Sequence, residues 1–339
     1  MAPTIRPFLL WLLAFYAGWL AIVTTMSSWA EVAAHWPIAA AMALGSYFAG
    51  STPMGGGTVG FPVLVLFFDQ PASFGRDFSF AVQSIGMVSA SILILCRRRL
   101  LDWSMLGPAV VGAAIGTPIG LLAVAPFVPG LAVKLIFAVL WASFGILHLA
   151  RVDEIVGYFA VSASRPRAGA RLSFVVGLVG GATVAATTGV GVDMLLYVVM
   201  VLLFRIDLRV AIPSSVVLMA TTSLVGIASR NLLAAWGLAA PVPHEVFANW
   251  LAAAPVVAVG APFGTVMVAL LPRALTLRVV SVLCVGQLVW TLWDERAHIG
   301  AGVLALTGLG LLAFGVGFWT MSHIGRRWAP TMAGAETES

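Results

Sequence analysis

Long apolar runs separated by short polar breaks occupy nearly the whole chain. Eight of them, at 8–30, 78–96, 104–126, 131–150, 210–229, 246–271, 273–293 and 299–323, are near the ~20 residues that carry a helix across a ~30 Å hydrocarbon layer. Two more runs are interrupted. The run 38–68 is broken by Ser51-Thr52-Pro53-Met54-Gly55-Gly56-Gly57-Thr58, and the run 172–204 by Thr183, Thr187, Thr188, Gly189 and Gly191. Each is too long for one straight crossing and too short for two. The pattern predicts an all-α polytopic membrane protein with about eight full transmembrane helices and two broken or re-entrant helical hairpins. The run 8–30 is longer than the ~7–15 apolar residues of a signal-peptide core, so it reads as an uncleaved helix.

Landmarks recur in the same order. Phe80-Ala81-Val82-Gln83-Ser84 follows the first break, and Ala211-Ile212-Pro213-Ser214-Ser215 follows the second. Gly116-Thr117-Pro118-Ile119-Gly120 is echoed by Gly260-Ala261-Pro262-Phe263-Gly264, and the proline turn Val128-Pro129-Gly130 by Leu271-Pro272-Arg273. These matches predict an internal duplication within a single membrane domain, 1–339. Repeat 1 covers 38–150 and repeat 2 covers 172–293, with extra helices at 8–30 and 299–323 outside the core. If each broken run enters and leaves on one side, Arg6, Arg97, Arg98, Arg99, Arg151, Arg165, Arg167, Arg171, Arg205, Arg209, Arg273, Arg278, Arg326 and Arg327 share a side. Only Arg76, Lys134, Arg230 and Arg296 face the other. If each broken run crosses once, the basic residues divide evenly. The positive-inside rule selects hairpins. Both termini then lie in the cytoplasm, and three crossings separate the hairpins, which inverts the second repeat. Inverted repeats with broken helices are an architecture of secondary transporters.

Composition narrows the class. Apolar residues make up 61% of the 339, charged residues only 9%, and the mean hydropathy is +1.04. Soluble domains carry about 25% charged residues, so a water-soluble enzyme is excluded. The net charge of +5 reads as cytoplasmic loop arginines rather than nucleic-acid binding. Cys96 and Cys284 are far apart, and the five histidines never pair at i, i+4. Neither a metal site nor a cofactor is expected.

Chemistry concentrates at the breaks. Backbone without helical partners costs several kcal/mol in lipid unless it is buried in protein or lines a polar cavity. Glycine there permits sharp turns and close ligand approach. The arm after each break begins with a helix N-terminus that favours an anion. The expected substrate-binding set is Thr52, Gly55, Gly56, Gly57, Thr58, Gln83 and Ser84 in the first half. In the second it is Thr187, Thr188, Gly189, Gly191, Ser214 and Ser215. Two such ends meeting at mid-depth make an anion site without a buried arginine. Small residues that only allow close helix packing are the alternative. Asp193, just past the second break, is an intramembrane carboxylate and so a functional candidate. It opposes an anion at the same helix end unless it is protonated when the anion binds, which makes it the proton-coupling candidate. Otherwise it simply caps the arm.

The order of these motifs resembles the TauE/SafE sulfite exporter family, also called the toluene-sulfonate uptake permeases. The resembling residues are Thr52-Pro53-Met54-Gly55-Gly56-Gly57-Thr58-Val59-Gly60-Phe61-Pro62, then Ala81-Val82-Gln83-Ser84 and Leu101-Asp102-Trp103. The small-residue helix from Gly112 to Gly120 follows, then a second copy around Gly180-Gly181 and Gly189-Val190-Gly191. The resemblance implies a multi-pass inner-membrane permease for a sulfur oxyanion such as sulfite or an organosulfonate. The chain departs from the pattern in the second copy, which reads Gly189-Val190-Gly191-Val192-Asp193 in place of a fuller glycine run. A secondary transporter, with H+ as the candidate coupling ion, is the leading expectation. A passive anion channel, a cation transporter and, last, an intramembrane enzyme are the rivals. The outer helices serve packing or a homodimer contact.

Overall fold

A computed structural model describes residues 4–52, 57–163, 165–267 and 272–328. The chain is helical, with an isolated parallel bridge between Ala160 and Ile206. The helices are α1 (Arg6–Thr25), α2 (Trp29–Ala34), α3 (Trp36–Ser51), α4 (Gly57–Pro62), α5 (Ala72–Cys96), α6 (Trp103–Ala123), α7 (Gly130–Val156), α8 (Pro166–Gly180), α9 (Ala186–Thr188), α10 (Val192–Val198), α11 (Leu208–Ala235), α12 (His244–Met267), α13 (Arg273–Asp294) and α14 (Ala301–Trp328). Among the described residues, nine helical stretches are long and apolar enough to span a bilayer. The fold is thus an all-α polytopic membrane protein.

Eight of the nine are the uninterrupted runs. The ninth, Pro166–Thr188, is the first arm of the second broken run. The sequence reading placed breaks at Thr183, Thr187 and Thr188, but these residues do not interrupt the helix. The hydroxyls of Thr183, Thr187 and Thr188 donate to the carbonyls of Val179, Thr183 and Val184, each four residues back. The helix passes through a π turn, Gly181–Ala185, and ends only at Gly189, whose φ is +79°. The following arm, Val192–Leu203, is too short to cross.

The packing of the helices follows from their glycines. Gly112, Gly116 and Gly120 of α6 meet Phe174, Leu178 and Ala182 in that order, so α6 and the arm containing α8 run parallel. Gly260 and Gly264 of α12 meet Ser46 and then Tyr47 and Gly50 of α3, so that pair is also parallel. Absent side chains let the backbones approach closely, which drives helix association in lipid. The helices α5 and α11 run antiparallel, because Asp77 meets Arg230 and Phe80 meets Gly226. The helices α7 and α13 are antiparallel too: Lys134 pairs with Glu295, Gly145 abuts Cys284, and Arg278 reaches Asp153. Each broken run therefore packs along a helix of the other half.

Local geometry repeats at one register. Both short arms end in π segments, Val63–Phe67 and Val199–Leu203. The amides of Phe68 and Gln70 donate to Val63 and Leu64, and those of Phe204 and Ile206 to Val199 and Met200, 136 positions later. Asp69 and Arg205, at the same spacing, both take positive φ. Thr52 and Thr188 both bond back four residues, to Phe48 and Val184. This register pairs Ser79 with Ser215 and Gln83 with Met219. The sequence pairing of Gln83-Ser84 with Ser214-Ser215 is five positions out of step with it. The outer helices α1 and α14 are the least buried of the nine, at 6% and 11%. They lie on the periphery, α1 tied to the core by Trp11 to Ser89, Tyr16 to the Pro255 carbonyl and Trp19 to the Leu251 carbonyl.

Candidate functional site

The second break is built against α5. Gly189 and Gly191 both adopt positive φ, at +79° and +101°. Side chains rarely tolerate this backbone region, so glycine is required there. Gly189 lies against Arg76 and Ser79, and Gly191 against Trp141 of α7. Gln83, one turn beyond Ser79, donates its side-chain amide to the Gly189 carbonyl at 3.1 Å and to the Ser79 carbonyl at 3.0 Å. The first half of the chain thus supplies the partner for an open carbonyl in the second. Gln83 Oε1 and Ser79 Oγ are buried without a partner among the described residues.

The amides of the break are engaged from within. Thr188 Oγ1 accepts from the Val190 amide at 3.3 Å, and Asp193 Oδ1 accepts from the Gly191 amide at 3.1 Å. Asp193 is fully buried in the first turn of α10, and its Oδ2 has no partner among the described residues. In this conformation a carboxylate of the chain itself occupies the electropositive end of the short arm. Thr187 lies at the edge of the break and lines an open cavity with Arg76 and Lys134.

The other expected residues are dispersed. Gly55 and Gly56 lie outside the described residues. Gly57 opens α4 together with Thr58. Thr52 is buried beside the first break. Ser84 donates to the Ala81 carbonyl at 2.7 Å within its own helix. Ser215 does the same to Ile212, while Ser214 accepts from the Asp102 amide at the start of α6. A small cavity of ≈ 10 Å³, about the room one water needs, is lined by Gln83, Ser46, Gly86 and apolar neighbours.

Sequence reasoning missed three groups. Arg76 and Ser79 join the expected Gln83 in one i, i+3, i+7 stripe of α5 along the second break. That helical spacing of polar residues was the available signal. The second is Asp77, an acid within the spanning helix α5. It is 1% exposed and accepts from Arg76 Nε at 2.8 Å, from Arg230 Nε at 3.0 Å and from Arg230 Nη2 at 3.0 Å. Arg76 and Arg230, which the charge pattern alone marks only as topology determinants, are 8% and 6% exposed. Together the three carry one net positive charge, on the turn of α5 whose backbone at Arg76 lies against Gly189. The third group is the aromatic stripe of α7. Phe137 stacks on Phe61 of the first short arm, Trp141 stacks on Phe137, and His148 contacts the Tyr197 hydroxyl of the second at 3.1 Å.

Among the described residues, nine apolar spans and buried polar groups gathered at a glycine-kinked break define a polytopic membrane protein. Residues 38–285 match the family described as Sulfite exporter TauE/SafE. The chain belongs to that family of membrane transporters, as the order of its glycine motifs implied. No curated protein and no solved structure matches it.

Proposed function

We propose that the protein is a secondary transporter carrying a sulfur-containing oxyanion, an organosulfonate or sulfite, across the plasma membrane by alternating access between two inverted repeats. The antiparallel pairs α5/α11 and α7/α13 support the inversion, as do the features that recur 136 residues apart. With the arginine-rich loops in the cytoplasm, both termini are cytoplasmic.

The observation that carries the reading is the bond from Gln83 to Gly189. It joins the helix after the first break to the second break, so a ligand that disturbs one half is felt in the other. The substrate site comprises Thr187, Thr188, Gly189 and Gly191 with Gln83, Ser79 and Ser84. The first half contributes Thr52, Gly55, Gly56, Gly57 and Thr58 as the matching candidates, and α11 contributes Ser214 and Ser215. Coupling runs through Asp193. While ionised, its carboxylate holds the Gly191 amide and repels an incoming anion. A proton on it weakens both effects and frees the helix end for substrate. Anion and proton therefore bind together.

Uptake into proteoliposomes tests this. A radiolabelled organosulfonate is expected to accumulate above equilibrium under an imposed pH gradient. Accumulation only to equilibrium means a passive channel. A response confined to cations overturns the assignment.

A further inference from the structure

Beside the second break lies an open cavity of ≈ 670 Å³. Its walls are the segment leading into α5, the turn before α7, the segment after α13, and Thr187. We propose that this vestibule is an anion-binding subsite on the access path to the break, with Arg76 as its ligand-holding residue and Thr187 at its inner edge. The inference rests on the transport reading and adds to it the residue that recruits the anion.

The charges that face the cavity sort into pairs. Lys134 and Glu295 neutralise each other, and His298 Nδ1 stands 3.3 Å from the same Glu295 carboxylate. Asp69 is exposed at the rim. Arg230 binds both oxygens of Asp77 and so satisfies that carboxylate alone. Arg76 reaches Asp77 only through Nε. Its other guanidinium nitrogens have no hydrogen bond to a described residue, and the side chain lines the cavity while being only 10% exposed. A planar guanidinium with two free NH2 nitrogens matches the oxygens of a sulfonate or sulfite. Partial removal from water strengthens the attraction over that of a surface arginine. The backbone of Arg76 abuts Gly189, and Thr187 of the same break lines the cavity, so an anion held by the Arg76 side chain waits beside the break.

The test uses Ser73, exposed in the cavity wall. Ser73→Cys is made in a Cys96→Ser background, where the remaining Cys284 is buried. The purified protein in proteoliposomes is treated with an anionic sulfonatoethyl thiosulfonate or a cationic trimethylammonium analogue. The anionic reagent is expected to react several-fold faster, and saturating methanesulfonate to slow it several-fold. Arg76→Gln removes both effects. Should that variant fold poorly, Leu131→Glu, which adds a negative charge to the same wall and leaves Asp77 paired, reverses the charge preference. Equal rates for both reagents with no protection, while methanesulfonate uptake persists, overturn the vestibule and leave transport standing. Absence of any sulfonate or sulfite uptake by the unaltered protein removes the transport reading, and the vestibule falls with it.

Discussion

Arg230, near the end of α11, grips Asp77, near the start of α5, through two 3.0 Å hydrogen bonds in a buried position. The contact fixes the two helices antiparallel and places a charge cluster beside the second break. Its energetics are asymmetric. Removing the carboxylate leaves two buried guanidinium groups facing each other, whereas removing either arginine leaves a neutral pair. Breaking a buried ion pair costs about 3–5 kcal/mol. Asp77→Asn is therefore expected to lower the thermal unfolding midpoint of the purified protein well below that of Arg230→Gln. Equal midpoints for the two variants would show that the cluster is not organised around Asp77.

Gln83 offers a cleaner separation of function from stability. Gln83→Leu keeps the volume and removes the bond to Gly189. A buried hydrogen bond and its unsatisfied carbonyl are together worth about 1–3 kcal/mol, roughly tenfold in rate for each 1.4 kcal/mol. Sulfonate uptake is expected to fall about tenfold or more, with the folded fraction by size-exclusion chromatography unchanged. Uptake equal to that of the unaltered protein would leave Gln83 a packing residue.

Much of this architecture was legible in the sequence, because spans in lipid must be long, apolar and marked by loop arginines. Among the described residues, each of the eight uninterrupted runs holds a long helix. The order of the glycine landmarks identified the family. The exact extent of the second break was not legible. Whether Thr183 and Thr187 end a helix depends on where their hydroxyls turn, and here they fold back onto carbonyls. The 136-residue spacing of the matching local geometry was also hidden, since Ser214-Ser215 resembles Gln83-Ser84 by composition while that spacing sets Ser215 against Ser79. Arg76 escaped notice because a charge near a helix end reads as a topology marker until its burial is known.

Asp193 gives the pH prediction. If the carboxylate must take a proton before the anion can bind, uptake by the unaltered protein rises as external pH falls. Asp193→Asn keeps the shape and an oxygen acceptor for the Gly191 amide, but loses the charge and the proton. Initial rates measured across pH 5–8 are expected to become nearly flat in that variant. A slope matching the unaltered protein would leave Asp193 as a cap for α10 and move the coupling elsewhere.

The glycine crossings separate close packing from mere glycine content. A methyl group at Gly116 would overlap the Leu178 carbonyl, and one at Gly264 the Tyr47 carbonyl, whereas Gly107 and Gly308 have open space. Backbone cannot swing aside as a side-chain tip can, so Gly116→Val or Gly264→Val forces the helices apart at about 1–3 kcal/mol. The two crossings join opposite halves: α6 to α8, and α12 to α3. Both variants should therefore damage transport similarly, and the double variant should approach the sum of the two stability losses, as for distant sites. Gly107→Val and Gly308→Val serve as controls with midpoints near that of the unaltered protein. A Gly264 variant as benign as these controls would mean that α3 and α12 are not held together by the close backbone approach on which the paired arrangement of the halves depends.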